Sequence, residues 1–150
     1  MDVLIAERKG VEACRDGRTP FEEVLRHSTV LVIIVPRTAD TVNMISLKEL
    51  EWMRHDAVLV NVSRGDIIDE PALLEALKKG WIGGAAVDVF AEEPATEDNC
   101  WLVGNVAKGL NLITTPHTAW AGMATEVELL RMAKENVENW IRGEPRNVVL

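Results

Sequence analysis

Six consecutive apolar residues, Val30-Leu31-Val32-Ile33-Ile34-Val35, stop abruptly at Pro36 and Arg37. A run this short and this rich in β-branched side chains is a strand. Its lack of alternation places it in a parallel sheet buried on both faces, because a one-sided antiparallel strand would alternate apolar with polar residues. Shorter runs of the same texture recur at Val3–Ala6, Ala57–Val62, Gly84–Val87 and Leu112–Thr114, the first run itself extending over Thr29–Val35. Helical patterns separate them at Pro20–His27, Ser46–Arg54, Glu70–Lys79 and about Met123–Ile141. Strand alternating with helix from end to end predicts the α/β class, a doubly wound parallel sheet with helices on both faces.

The helix limits have local causes. Glu70-Pro71 sets proline in a first turn, where its missing N–H costs nothing, and Gly80 supplies a stop after Lys78-Lys79. In the last helix Val127, Leu130, Ala133, Val137, Trp140 and Ile141 recur on one face, and Gly143 ends it. A doubly wound sheet that receives a dinucleotide opens with a strand, a glycine-rich turn and a helix. These 150 residues hold no such unit ahead of Val3. The expected architecture is therefore a single partial domain over 1–150 that lacks the first strand, the glycine-rich turn and the first helix. Within it, about 120–150 form a long helix and tail.

A formal net charge of −8 argues against nucleic acid or an anionic membrane as partner, since binders of polyanions concentrate Lys and Arg. Val30–Val35 is far too short to span a bilayer, and the residues after Met1 lack the basic region and long apolar core of a secretion signal. Two cysteines, Cys14 and Cys100, stand far apart without metal-ligand spacing, which suggests neither a disulfide framework nor a metal site. A soluble protein of the reducing cytoplasm is the expectation.

Polar residues gather where strands end. Glu7 follows the first run, where a nucleotide-binding sheet holds the adenine ribose; a carboxylate there accepts from both ribose hydroxyls and repels a 2′-phosphate, favouring NAD. Arg8 and Lys9 beside it leave room for NADP. Arg64, in Asn61-Val62-Ser63-Arg64-Gly65-Asp66-Ile67-Ile68-Asp69, stands just past a strand, where its planar fork can grip a carboxylate. A plain cap salt bridge to Asp66 or Asp69 explains it about as well. Asp88 and Glu93, in Val87-Asp88-Val89-Phe90-Ala91-Glu92-Glu93-Pro94, could contact a nicotinamide and orient an imidazole, although alone each reads as a loop acid facing water. His117, in Thr115-Pro116-His117-Thr118-Ala119-Trp120, is the histidine between a strand end and a helix start; His27 and His55 fit solvated helix ends. Arg64, Asp88, Glu93 and His117 all belong to one edge of one sheet.

These three blocks, in this order, closely resemble the D-isomer-specific 2-hydroxyacid dehydrogenases over about Glu7 to Val149. Ala6-Glu7-Arg8-Lys9-Gly10 and His117-Thr118-Ala119-Trp120 look most like the glycerate dehydrogenase and hydroxypyruvate reductase branch. The resemblance implies a Rossmann-type NAD-binding domain with Arg64, Glu93 and His117 as catalytic residues. Arg64 would bind substrate, Asp88 would contact nicotinamide, Glu93 would support the histidine, and His117 would be the acid/base. It further implies cofactor contacts at Val35, Pro36, Thr41, Val62 and Ser63.

In that chemistry hydride passes between nicotinamide and C2 of a small 2-keto or 2-hydroxy acid while His117 moves the proton on the C2 oxygen. Arg64 stabilises the charge that develops there. Without the glycine-rich turn the pyrophosphate loses its backbone N–H cradle, and without a substrate domain the cleft keeps one wall. A shortened chain with weak turnover is expected, its long helix exposing apolar side chains that a missing domain would meet. The competing expectation is a non-catalytic module that forms a homodimer or pairs with a full-length homologue.

Overall fold

Ile33, Asn61, Val87 and Thr114 stand level across a four-stranded parallel sheet, each paired with the next. The computed structural model that shows this describes residues 2–11 and 13–148. The chain divides into two compact units, Met1–His117 and Thr118–Leu150. The first holds α1 (Phe21–His27), β1 (Val30–Ile33), α2 (Leu47–Trp52), β2 (Val58–Asn61), α3 (Glu70–Lys79), β3 (Gly84–Val87), a 3-10 turn (Asn105–Ala107) and β4 (Leu112–Thr114). The strands lie in chain order, β1-β2-β3-β4. A Rossmann-type α/β sheet is thus present, with α3, β3 and β4 at the limits the sequence predicts.

The helix termini follow local chemistry. Asp69 caps α3 by accepting from Ala72 N at 3.2 Å, and Gly80 closes it in the left-handed region at φ 67°. At α2, Ser46 N donates to Glu49 Oε2 at 3.1 Å, while Ser46 Oγ reaches Asp69 Oδ2 at 2.8 Å. That bond ties the two helix starts together.

One sheet face, carrying Ile33, Leu59, Ala85 and Val87, packs against Leu25 of α1, Leu50 of α2 and Leu73 and Ala76 of α3. Each fully buried leucine contributes about 1.5–3 kcal/mol of apolar transfer. The other face differs from the expectation of cover on both sides. Val32, Val60, Ala86 and Ile113 form one register row on it, with Val32 and Ile113 exposed, because all three helices of this unit pack against the opposite face.

Val3–Ala6 is also not a strand of this sheet. Its backbone pairs with Thr19 instead: Thr19 N donates to Ile5 O at 2.9 Å and Glu7 N to Thr19 O at 2.8 Å. In a doubly wound sheet the second strand adjoins the first and third, not the fourth, so the run has no direct partner among β1 to β4.

The second unit is α4 (Met123–Ile141) with a short tail, and no α4 residue is buried. Trp140 is 74% and Ile141 77% exposed. Val149 and Leu150, the end of the expected tail, lie outside the described residues.

Candidate functional site

The level row of strand ends decides the site. With Ile33, Asn61, Val87 and Thr114 in register, the segments that follow, Ile34–Pro36, Val62–Arg64, Asp88 and Thr115–His117, all emerge from the same edge. That is the carboxyl edge, where open parallel sheets place ligands.

His117 Nδ1 lies 2.7 Å from Glu93 Oε2, and Phe90 N donates to the other oxygen, Oε1, at 3.0 Å. The carboxylate thus spans the backbone of one loop and the imidazole of another. Bonding to His117, then to the Phe90 N–H, holds the Glu93 carboxyl below its ordinary ionisation range. His117 itself has a left-handed backbone, φ 53°, with its N–H directed to Asp88 O at 2.8 Å. A non-glycine residue in that region is uncommon and marks local constraint. Glu93 and His117 line a cleft of about 480 Å³ together with Phe90, Val103 and Thr115.

Asp88 is 3% exposed, which removes the reading of a loop acid facing water. Thr115 Oγ1 donates to its Oδ1. Sequence reasoning gave Thr115 no role; its signal was a hydroxyl residue at a strand end directly before Pro116.

Arg64 is exposed, outside the lining of that cleft, and its Nη1 donates to Ser63 O at 2.6 Å. The cap salt bridge is not formed, since Asp66 takes the Arg37 guanidinium at 2.6 Å and Asp69 is committed to Ser46 and Ala72. Gly65 explains how the turn after Arg64 sits so near the Phe90 backbone: a Cβ there would lie 1.8 Å from Phe90 O. Ser63 is held by Asn61, a buried amide to which the sequence reading assigned nothing.

Along the same edge Val35 packs against the core, and Thr41 Oγ1 donates to Pro36 O at 2.7 Å, closing the loop after β1. Val62 is exposed beside Ser63. Glu7 is bonded to Arg15. It is 3% exposed, and Arg15 covers both oxygens through Nε at 2.9 Å and Nη2 at 2.6 Å. These side-chain bonds, followed by the Arg8 and Arg15 backbone N–H groups, hold its carboxyl well below the usual range.

Among the described residues no group of acidic, Cys or His side chains is arranged to hold a metal ion. No described helix is long and apolar enough to cross a membrane.

Residues 1–119 match the family model described as the D-isomer specific 2-hydroxyacid dehydrogenase NAD binding domain. Glycerate dehydrogenase of Methylorubrum extorquens is 43% identical over 135 residues, covering 90% of this chain and 42% of that protein. A solved acyclic imino acid reductase in complex with NADPH and D-Arg superposes with TM-score 0.77 at 32% identity, over 93% of this chain and 43% of that one. The NAD-complexed D-isomer specific 2-hydroxyacid dehydrogenase of Lactobacillus delbrueckii ssp. bulgaricus gives 0.72 at 28% identity, over 88% and 43%. The chain spans less than half the length of these proteins. With the strand ends in register, the Glu93–His117 pair formed and the model matched over most of its length, this chain belongs to the D-isomer-specific 2-hydroxyacid dehydrogenase family, within its NAD-binding domain.

Proposed function

We propose that this chain supplies the nicotinamide-binding side of an oxidoreductase that moves hydride between NAD and C2 of a small 2-hydroxy or 2-keto acid. The observation that carries this reading is the Glu93–His117 contact at 2.7 Å in a cleft at the carboxyl edge of the sheet.

The residues fit the nicotinamide end of the cofactor better than the adenosine end. A buried acid, Asp88, and the Val62–Ser63 turn stand at adjacent strand ends, as a nicotinamide ribose and carboxamide would need. Glu7, by contrast, has both oxygens engaged by Arg15, and these residues include no glycine-rich turn for the pyrophosphate. Loops at Val35-Pro36 and Thr41 would flank the dinucleotide. NAD is the cofactor named for the matched family domain, and Arg8, Lys9 and Arg15 give a 2′-phosphate cationic neighbours.

When bound, the nicotinamide supplies or takes the hydride. Arg64 swings from the Ser63 carbonyl to grip the substrate carboxylate and polarise the C2 oxygen. Glu93 accepts from Nδ1 of His117, fixing the ring so that Nε2 gives a proton to the developing alkoxide or removes it in the reverse direction. Glu93 also stabilises the imidazolium. The side chains of His117 and Glu93 are partly exposed in this chain, so water reaches these groups and turnover by the chain alone is weak. Mixing the chain with NADH and hydroxypyruvate or glyoxylate tests this directly: slow, His117-dependent oxidation of NADH supports it, and none at millimolar cofactor and substrate refutes it.

A second reading has its own observation. The exposed apolar face of α4, with Val127, Leu130, Trp140 and Ile141, suits a helix that meets another domain, either a substrate domain or a full-length homologue, or a second copy of this chain. Size measurement with and without a homologous full-length enzyme discriminates: a mixed species supports pairing, and an unchanged profile removes it. The reducing cytoplasm is the proposed compartment, in keeping with an exposed free thiol at Cys14.

A further inference from the structure

We infer that Asn61 is a positioning residue whose buried carboxamide folds the turn that presents Ser63 and Arg64. Its side chain is the buried polar one in a row of strand ends whose other members are Ile33, Val87 and the exposed Thr114. It is 1% exposed. An amide buried to that degree is costly unless its hydrogen bonds are made, so its presence calls for partners.

Those partners all lie in the next three residues. Oδ1 accepts from Ser63 N at 3.1 Å and from Ser63 Oγ at 2.9 Å, while Nδ2 donates to Arg64 O at 3.0 Å. Asn and Asp side chains commonly turn a backbone in this local way. Here the acceptor half serves Ser63 and the donor half serves Arg64. The backbone carbonyl of the same residue accepts from Asp88 N at 3.0 Å. One residue therefore sets three site positions that the sequence motifs had named separately.

The turn is also confined from beside. Gly65 leaves no room for a Cβ against Phe90 O, and the N–H of Phe90 is the group held by Glu93. Asn61 beneath and Phe90 beside thus leave the Arg64 backbone little freedom, although its side chain is exposed. Preorganising that backbone lowers the entropy lost when the guanidinium engages a ligand.

The two halves of the amide can be separated. Asn61→Asp keeps an acceptor for Ser63 and removes the donor to Arg64 O, whereas Asn61→Ala removes both. Amide hydrogen exchange reads the Ser63 N–H in the unliganded chain, and oxalate, a carboxylate probe that cannot be reduced, is titrated in the presence of NADH. In Asn61→Ala the Ser63 N–H should exchange about tenfold faster or more, with Leu73 in α3 unchanged. In Asn61→Asp the Ser63 N–H should keep its protection and NADH affinity should stay within about threefold, while oxalate affinity falls about tenfold.

A simple packing role would instead weaken both ligands together in both variants. Unchanged Ser63 exchange in Asn61→Ala, or undiminished oxalate binding in Asn61→Asp, overturns the inference; if Asn61→Ala does not fold, the Asn61→Asp arm decides. The ligand arm rests on the nicotinamide reading. Should the native chain bind neither NADH nor oxalate, that reading fails, and Ser63 exchange in the unliganded variants still judges Asn61.

Discussion

Glu93 and His117, in loops that follow different strands, meet at 2.7 Å, and the oxygen of Glu93 that does not face the imidazole is held by the Phe90 N–H. The carboxylate is therefore oriented by backbone before it orients the ring. Two strand ends in register make this possible, because Val87 and Thr114 pair directly.

Removing the charge at this contact should reduce any turnover the chain supports. Glu93→Gln retains an oxygen for Phe90 N–H, and we expect at least about a tenfold loss of kcat/KM from the lost charge-assisted bond. His117→Ala should cost about 10²–10⁴-fold. Steady-state oxidation of NADH with glyoxylate checks both, and equal rates for Glu93→Gln and the native chain would contradict the orienting role.

The same pair predicts a direction with pH. The Glu93 carboxyl ionises below its ordinary value of 4.5 in the folded chain, first through His117, so its stabilising contribution is present above that value and is lost as pH falls through the folded value. The stability gap between the native chain and Glu93→Gln should shrink as pH falls through the folded Glu93 value. Urea midpoints measured from neutral pH to about pH 3 test it.

Arg15 should govern the acid behaviour of the Glu7 segment. Its guanidinium is the leading cause of the depressed Glu7 ionisation, so Arg15→Ala raises that ionisation point and moves acid loosening of the contact between Glu7 and Thr19 to higher pH. Amide exchange at Glu7 and Thr19 against pH reads it; coincident profiles for native and variant would refute the assignment.

The two thiols should differ widely in reactivity. Cys14 is exposed, whereas burial pushes the Cys100 thiol up to about 11, with Glu70 beside it at 3.4 Å. Near pH 8 only roughly one Cys100 in a thousand is thiolate. A disulfide reagent should titrate one thiol quickly and the second only on unfolding, and rapid reaction of both would be inconsistent with this core.

Two glycines should respond unequally to alanine. At Gly65 the new Cβ would meet backbone at 1.8 Å, so the Arg64 turn must shift, with a loss on the order of 1–3 kcal/mol or more. At Gly80 space is open and only the left-handed φ of 67° is strained, a loss of about 1 kcal/mol. Chemical denaturation ranks them, and a smaller loss at Gly65 would overturn the packing argument.

Much of this was legible in the residue order. Uninterrupted β-branched runs predicted parallel strands, and Pro71 with Gly80 bracketed α3 to the residue, because strand texture and helix caps act over a few neighbours. The motifs likewise marked Arg64, Asp88, Glu93 and His117 as strand-end residues. Local pattern misled at Val3–Ala6, where apolar texture says strand but pairing depends on which strand lies alongside. It could not assign Glu7 either, since the eight-residue reach to Arg15 is made by a loop without periodicity. Nor did it reveal that α1 to α3 cover the same sheet face.

By itself, then, the sequence determined the element types, the limits of several helices and strands, and which side chains stand at strand ends. Tertiary structure alone decided register, and register brought Asn61, Asp88, Glu93 and His117 to one rim. The reason is physical: propensity and capping are settled between near neighbours, whereas strand pairing and the burial of Asn61 and Asp88 exist only once distant segments share a core.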